Sequence, residues 1–468
     1  MSNRVCTTIL RARQVRLSGF KSCRRTHSWT PMEPSKVKYK YIEDVERLDF
    51  YVPGGYHPVM IGDQLCNGRY VIAHKLGSGR SATAWLAQDT KTSQLVCLKI
   101  STAESANRTN ELPILLQLGN AESQLPGKPI VQMLLDQFTF SGPNGFHQCL
   151  VSDAARISIH EAKDASYHRI LHLPAARAIA SQLVLGLQFI HFQGIVHGDI
   201  HLGNVFLQLP PNMQTMTPEQ LYAKTGGPFK ELVVRCDGAP LDPGVPPEVV
   251  IPVWLGSASD EITLADCSIQ IADLGEAFDP QVTKQFNAHT LPQLAPPEAF
   301  FIEPGEDEPL SFSGDMWSLA CTIWEVFGAG PPFLPFPFTA DGVLIEHAEM
   351  LGRFPDRWWS KWKSRSNWFN DDGTKNVKEH LQQQFGNSSD NWDKRFPDYI
   401  YSYRLRSKFP VFTPEEEEAF GAMIKSMLVL EPSKRATIDD VVKCEWMQKW
   451  GLPELQRMRD AMKQVTSV

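Results

Sequence analysis

Three side chains that could handle a proton and a divalent metal stand in two loops of the sequence. Asp199 and Asn204 are five residues apart in IVHGDIHLGNV, between apolar segments, and Asp273 follows the apolar run of IADLG. An Asp in such a loop can accept or orient a hydroxyl proton, and an Asn can give Mg²⁺ a neutral oxygen ligand. Asp273 can reach a metal that bridges phosphate groups. The pattern therefore predicts a site for phosphate chemistry.

A second group of residues, nearer the N-terminus, has the composition of a phosphate-binding loop. Two glycines interrupt strand-like runs in LGSGRSATAWLAQ, residues 76–88, where backbone amides could approach phosphate oxygens. A hairpin turn gives the same letters, so this motif is weak alone. Lys99 ends the apolar run VCLK and needs an anionic partner, for which Glu111 is the candidate. Together they suggest the ion pair that positions nucleotide phosphates in protein kinases.

Three short motifs follow in the order found in the larger lobe of protein kinases. Residues 295–298 read APPE, and DMWSL, which begins at Asp315, has the form of a buried helix N-terminus that braces a catalytic loop. Arg435, in EPSKRAT, is the expected partner of Glu298. Each motif alone is common, but the ordered set is a complete protein-kinase signature.

The signature resembles the SR-protein kinase (SRPK) family of serine/threonine kinases, as a divergent member of fungal type. The resemblance covers about residues 51–450 and rests on GGYHPV, NGRY, KLGSGRSATAW, GPNGFH, IADLGEA and LEPSKRAT. It implies ATP and Mg²⁺ as cofactors and Arg/Ser-rich basic splicing proteins as substrates. By role, it implies Asp199 as the catalytic base, Lys99 and Glu111 as the ion pair, Asn204 and Asp273 as the Mg²⁺ ligands, and Leu76, Gly77, Ser78, Gly79, Arg80, Ser81, Ala82, Ala84, Lys99 and Asp153 around the nucleotide.

Three positions depart from the kinase pattern and bear on activity. The third glycine is Ala82, and Gly198 and His201 replace the usual Arg and Lys of the catalytic loop. His201 removes a permanent positive charge near the γ-phosphate, which would slow transfer or make it pH-dependent. An Arg at position 198 would pair with an activation-loop phosphate, so its loss predicts activity without phosphorylation of Thr283 or Thr290.

The strand before the hinge predicts an enlarged nucleotide pocket. Ser152 stands just before Asp153, at a point where related kinases commonly place a large side chain such as Phe. Unless Phe138 or Phe140 fills the space, an apolar cavity should open beside the adenine N6.

A docking surface for Arg-rich substrates is expected after the DMWSL helix. Asp341, Glu346 and Glu349 occur in TADGVLIEHAEMLG, and helical geometry places Asp341 and Glu349 within about 80° of one face. A solvated helix face would give the same pattern, and the sequence leaves both interpretations open.

The fold class is predicted to be α+β: a bilobal eukaryotic protein-kinase fold with a small, mostly β N-lobe and a larger, mainly helical C-lobe. Of the 468 residues, 42% are hydrophobic, which is enough for a buried core. The expected divisions are a basic, disordered tail at 1–50, a kinase domain at 68–450 with lobes at about 68–152 and 153–450, an irregular Pro/Gly-rich insert at about 210–259, and a C-terminal tail at 451–468.

Charge and cysteine usage constrain partners and compartment. The net charge is −7, yet residues 1–40 carry ten Lys or Arg and one acid, so the remainder is strongly acidic and disfavours direct nucleic-acid binding. We expect no membrane span and a monomer in the cytoplasm, the nucleus or both. Nine scattered cysteines without a CxxC pair indicate a reducing compartment. Residues 1–32 contain no acid, so a mitochondrial presequence is the alternative to a basic tail.

Two other functions remain open on the sequence. HGDIHLGN is close to the loop of aminoglycoside and choline phosphotransferases, which phosphorylate small hydroxylated molecules. A catalytically weak pseudokinase that serves as a scaffold is the second, because Gly198 and His201 are unusual, although Lys99, Asp199 and Asn204 all remain.

Overall fold

The computed structural model describes residues 38–106, 108–335, 338–385 and 390–466. These residues form a smaller lobe built on a six-stranded sheet and a larger, mainly helical lobe, so the predicted α+β bilobal fold is confirmed. The possible presequence at 1–32, and the tail up to residue 37, lie outside the described residues.

The smaller lobe is an antiparallel sheet with the order β1-β2-β3-β4-β6-β5. In β5, partly buried and exposed residues alternate with a period of two, as in a strand with one face on the core. The strands of this sheet are β1 (Gln64–Leu65), β2 (Tyr70–Ser78), β3 (Ala82–Asp89), β4 (Gln94–Ser101), β5 (Leu134–Gly142) and β6 (Gly145–Asp153). Two smaller sheets follow in the sequence: one contains β7 (Ala155–Ser158), β8 (Val205–Gln208) and β11 (Ile269–Ile271), and the other contains β9 (Lys230–Leu232) and β10 (Glu248–Val250).

The larger lobe packs its helices around α3 and α6. On α6, Trp317 and Trp324 are fully buried, and each large aromatic side chain removes about 150–250 Å² from water. The helices are α1 (Glu111–Asn120), α2 (Ile159–Asp164), α3 (Leu173–Phe192), α4 (Pro211–Gln214), α5 (Pro218–Thr225), α6 (Phe312–Phe327), α7 (Ala340–Leu351), α8 (Asp356–Trp359), α9 (Glu379–Phe385), α10 (Trp392–Phe396), α11 (Tyr403–Arg406), α12 (Pro414–Met427), α13 (Ile438–Lys443) and α14 (Leu452–Thr466).

By length and composition alone, α3 could cross a membrane. However, 83% of its most apolar stretch is buried inside the protein, where α3 contacts α6, α13 and α14. This burial identifies α3 as the central helix of the larger lobe.

Residues 38–50, which we expected in the disordered tail, are packed against the insert. Tyr39, Ile42 and Leu48 are buried, and Tyr39 donates a hydrogen bond to Asp242 at 3.0 Å. The apolar residues of this segment find partners about 200 positions away, which the local composition does not reveal. The boundary of the tail at residue 50 was therefore wrong.

The insert is more regular than its Pro/Gly content predicted. It contains α4, α5 and a hairpin of β9 and β10, and it reaches from the larger lobe to the smaller one. Tyr222 donates to the carbonyl of Ala73 at 2.5 Å, and the amide of Val253 donates to the carbonyl of Lys75 at 2.9 Å. The insert thus fixes β2 from outside the sheet.

The C-terminal segment 451–468 is not a loose tail over its described part. Residues 452–466 form α14, which buries Leu455 and Met458 against α3. Glu454 on α14 is 3.3 Å from Arg177 on α3. The amphipathic spacing of this helix covers the core, so the folded domain extends beyond residue 450.

Candidate active site

Lys99 on β4 joins the two carboxylates expected beside it. Its Nζ lies 2.7 and 2.8 Å from the two oxygens of Glu111 and 2.8 Å from Oδ1 of Asp273. Burial alone would lower the pKa of Lys99, but the charges of Glu111 and Asp273 raise it overall. The charge of Lys99 in turn lowers the pKa of Asp273. Lys99 and Asp273 are therefore both ionised at neutral pH.

Glu111 opens α1, so the proline two residues later does not interrupt the helix. Pro113 falls in the first turn, where the backbone N–H groups have no intrahelical partner and a missing N–H costs little.

The predicted nucleotide residues 76–84 form the end of β2, the following turn and the start of β3. Among the described residues, no atom lies within 4 Å of where a Cβ would stand on Gly77 or Gly79. The surface of this loop is therefore open to a ligand. Tyr56, which is buried, donates a hydrogen bond to the carbonyl of Gly79 at 2.7 Å and holds the loop from the other side.

Asp199 and Asn204 lie together in the catalytic loop. The Asn204 amide donates to the backbone carbonyl of Asp199 at 2.9 Å and to its Oδ2 at 3.2 Å. The His201 Nε2 is 3.5 Å from Asp199 Oδ2. The amide of Gly203 donates a hydrogen bond to His201 Nδ1, so in the neutral ring the proton is on Nε2, the nitrogen that faces Asp199. Burial would raise the pKa of Asp199, but His201 and nearby groups lower it overall. Asp199 is thus an ionised acceptor.

Asp315 braces the catalytic loop from the first turn of α6. Its carboxylate accepts hydrogen bonds from the amides of His197 at 2.7 Å and Gly198 at 2.9 Å, and from His191 Nε2 at 2.9 Å. In the same lobe Arg435 makes two bonds of 2.6 Å to Glu298, as the sequence motifs predicted. Both carboxylates are buried: Asp315 fixes the catalytic loop, and Glu298 anchors its own segment to Arg435.

Gly198 occupies a position that side chains tolerate poorly. Its φ is +78°, and a Cβ there would lie 2.7 Å from the carbonyl oxygen of Glu276. The backbone conformation at position 198 therefore favours glycine over the usual Arg.

We expect Gly198→Ala to destabilise the protein more than Gly194→Ala. Gly194 has nearly the same φ, +77°, but no described atom lies within 4 Å of its missing Cβ, so it bears the left-handed strain alone, about 1–2 kcal/mol. Gly198→Ala adds the clash with Glu276, about 1–3 kcal/mol more. Urea unfolding of the two variants measures the difference, and equal losses would contradict the close approach.

The activation segment, Asp273 to Glu298, is held by contacts within the protein. Val196 and Phe278 exchange two backbone hydrogen bonds of 2.8 and 3.0 Å. His289 is hydrogen-bonded to Glu276, which raises the pKa of His289 above its usual value.

The space beside Ser152 contains a polar group that the sequence did not predict there. Gln132 Nε2 donates a hydrogen bond to Ser152 Oγ at 2.8 Å. Phe138 stacks on Tyr70 instead, and the ring of Phe140 contacts those of His57 and His147. A neighbour therefore does reach this space, but it is the amide of Gln132 and not one of the two phenylalanines, so the wall beside Ser152 is partly polar.

The acidic docking residues are already bound to internal partners. The Glu349 carboxylate is 6% exposed, and burial raises its pKa. A free acidic face formed by these three residues is therefore contradicted, since two are paired with cations and the third accepts hydrogen bonds. The partners are Trp362 and Ser364 for Asp341, Arg395 for Glu346 and Lys375 for Glu349.

The residues present fit a nucleotide and a divalent metal. Asp273 and Asn204 offer oxygen atoms, the donor type that Mg²⁺ prefers, and the amide of Ala272 donates to the Asn204 carbonyl at 2.9 Å, which keeps the two ligands adjacent. Lys99 lies beside Asp273, and the glycine loop joins the same sheet next to it, since Gly77 pairs with Ala84 and Ala84 pairs with Lys99. Asp153, at the end of β6, starts the connection between the lobes.

Sequence reasoning missed several residues that complete the site. Tyr56, Gln132 and His191 hydrogen-bond to the glycine loop, to Asp273 and to Asp315 respectively. The buried hydroxyl of Thr290 lies near Asp199 and contributes to the lowered pKa of that carboxylate. No local signal identifies them, because each contact joins segments that are distant in the sequence.

Comparisons with known proteins agree with this geometry. A family model described as "Protein kinase domain" matches residues 70–215, from β2 through the catalytic loop. The serine/threonine-protein kinase SRPK of Physarum polycephalum is 26% identical over 419 residues, which cover 86% of this chain and 91% of that protein. A crystal structure of a kinase domain, 16% identical, gives a TM-score of 0.54 over 84% of this chain and 98% of that one, and supports the fold.

Two further relatives are more similar to this chain over a shorter segment. Protein kinase dsk1 of Schizosaccharomyces pombe is 35% identical over 166 residues, and SRSF protein kinase 3 of Homo sapiens is 32% identical over 169. Each alignment covers 35% of this chain and 30% of the relative. The two lobes and the ordered site give the chain a protein-kinase fold, and these relatives show that it is similar to serine/threonine kinases of the SRPK type.

Proposed function

We propose that this protein is an ATP-dependent serine/threonine protein kinase that phosphorylates Ser in Arg/Ser-rich basic proteins of mRNA splicing. One observation carries the reaction class: Lys99 contacts Glu111 and Asp273 at the same time, at 2.7–2.8 Å. This arrangement is the assembled form of a kinase site, in which both the ion pair and the metal-binding Asp must be in place.

Each residue of the chain has a defined task in this reaction. Bound ATP and Mg²⁺ supply the phosphoryl group and neutralise its charge. Asn204 and Asp273 would hold the metal, and Lys99 would orient the α- and β-phosphates. Asp199 accepts a hydrogen bond from the substrate hydroxyl and orients it for attack, and His201 keeps the Asp199 carboxylate in position.

The alternatives are less well supported. A small-molecule phosphotransferase does not need the Glu298–Arg435 pair, which here anchors the end of the activation segment, where protein substrates bind. A scaffold does not need Lys99, Asp199 and Asp273 to contact their partners, yet in this protein all three make those contacts.

The substrate class rests on charge and on the similarity to kinases named for SRPK and SRSF proteins. Outside the basic tail the chain is strongly acidic, so basic substrates would be attracted and their capture weakened by salt. We further propose a monomer that acts in the cytoplasm or nucleus and binds neither nucleic acid nor membrane directly.

The experiment that tests the function is a transfer assay with labelled ATP. We expect phosphorylation of an Arg/Ser-repeat peptide, less of a matched Lys/Ser peptide, and none of free choline, with a rate that falls as salt increases. Label on choline alone would favour the small-molecule enzyme. Nucleotide binding without transfer to either peptide would favour the scaffold.

We expect full activity without phosphorylation of the activation segment. Gly198 leaves no Arg for a phosphate there, and the Val196–Phe278 backbone pair and the His289–Glu276 pair already order the segment. Phosphatase treatment and Thr283→Ala should both leave kcat unchanged. Thr290 is unsuitable for this test because its hydroxyl is buried near Asp199, where a substitution would disturb the catalytic loop as well. A loss of activity in the phosphatase-treated enzyme would contradict the proposal.

A further inference from the structure

The carboxamide of Gln132 connects the adenine end of the site with its metal end. Its Nε2 donates to Ser152 Oγ at 2.8 Å, and its Oε1 accepts from the backbone amide of Asp273 at 3.4 Å. Its own backbone amide donates to the carbonyl of Ile271 at 2.8 Å. One residue is therefore fixed to β6, to β11 and to the metal-binding loop.

The hydrogen bonds that link Asp273, Gln132 and Ser152 all have their donors on the same side. The Asp273 amide can only donate, so Oε1 must face it and the NH₂ group must face Ser152. Ser152 then has its own proton free for the carbonyl of Asp153, 3.5 Å away. That carbonyl stands at the hinge, where the adenine of ATP is expected to bind.

Asp273 needs such support because its backbone is strained. It has φ of 60° and ψ of 71°, in the left-handed region that only glycine adopts easily. Conformations of this kind persist only where the surroundings fix them. The described contacts that do so include the Lys99 ion pair on its side chain and the Gln132 amide on its backbone.

Gln132 also occupies volume that Ser152 leaves. Ser152 is 4% exposed and lies opposite Cys97 in the β4–β6 ladder, beneath the roof of the nucleotide site. The hydrogen bond to Ser152 places the Gln132 amide against its small side chain. The size of this pocket is therefore set by residue 132 as well as by residue 152.

We propose that Gln132 is a specificity-determining and positioning residue of the nucleotide site: it closes the space beside Ser152 to substituents on the adenine N6, and it holds Asp273 in the metal-binding conformation. The inference rests on the proposed function, since it concerns how the same site selects its nucleotide. The two roles are separable, because one depends on volume and the other on hydrogen bonds.

Equilibrium binding of ATP and N6-benzyl-ATP to three variants tests both roles without requiring phosphoryl transfer. Gln132→Ala removes volume and hydrogen bonds, and we expect its preference for ATP over N6-benzyl-ATP to fall about 10–200-fold relative to wild type. Gln132→Met keeps the volume, so it should exclude the analogue as wild type does. Gln137→Ala, an exposed residue on β5, is the matched control and should behave as wild type.

The hydrogen-bonding role predicts a shared effect of the first two variants. Both should need about 2–10-fold more Mg²⁺ for half-maximal nucleotide binding, in proportion to a lost hydrogen bond. If Gln132→Ala does not fold, Gln132→Asn carries the same prediction for the analogue, because it withdraws the amide by one methylene.

The outcomes separate this inference from the proposed function. Equal exclusion of N6-benzyl-ATP by wild type and the shortened variants would overturn the closing role. An unchanged Mg²⁺ requirement in Gln132→Met would overturn the positioning role. The expected binding differences without transfer to any peptide would support the inference and contradict the kinase function instead.

Discussion

Replacement of Asp199 by Asn is expected to lower kcat by about 10²–10⁴-fold while nucleotide binding and stability remain close to wild type. The Asn side chain has the same shape and can still pair with Asn204, but it cannot accept a proton or carry the charge that orients the substrate hydroxyl. Because the pKa of Asp199 lies below its usual value, the carboxylate that is lost is ionised across the neutral range. Single-turnover assays with an Arg/Ser peptide measure the loss.

Asp279→Asn is the matched control for this prediction. Asp279 also lies in the activation segment, but among the described residues its carboxylate accepts only a local hydrogen bond, from the amide of Gln281 at 2.8 Å. It should retain turnover within about twofold, as expected for a substitution away from the reacting groups. Wild-type turnover in Asp199→Asn would show that the substrate hydroxyl is oriented by another group.

The order of the motifs predicted the centre of the site. The Lys99–Glu111 contact, the Asp315 brace and the Arg435–Glu298 pair all exist, because each motif carries a charge that is buried and must find its complement. In these cases, residue type alone restricts the choice of partner.

The neighbouring residues could not be predicted in the same way. Gln132 and Asp273 are 141 positions apart. Tyr56, which bonds to Gly79, lies before residue 70, where the match to the family model begins. A Gln or Tyr has many acceptable environments, so its type does not specify its partner. The docking hypothesis failed for the same reason, because nothing near Glu349 in the sequence indicates that Lys375 neutralises it.

Residues 38–50, like the insert at 210–259, belong to the folded domain through tertiary contacts, although neither segment carries a kinase motif. Glu46, from the presumed tail, forms an ion pair with Lys75 on β2, and the hydroxyl of Tyr51 also bonds to Glu46. The side chain of Lys75 is fully buried, lies 5.6 Å from the ring of Trp85, and is followed directly by the glycine loop. Burial lowers the pKa of Lys75, although Glu46 opposes the shift.

We expect Glu46→Ala to lower the free energy of unfolding by about 3–5 kcal/mol, because it leaves a buried ammonium group without a partner. The double variant Glu46→Ala, Lys75→Met should recover most of this loss, since removal of both charges also removes the desolvation cost. The surface pair Lys230–Glu248, at 2.6 Å with partly exposed side chains, provides the control, and Glu248→Ala should cost at most about 1 kcal/mol. Urea unfolding of the four proteins measures these differences. A cost below about 1 kcal/mol for Glu46→Ala would mean that residues 38–50 pack on the smaller lobe without stabilising it, and the presence of both charges at the base of the glycine loop would then need another explanation.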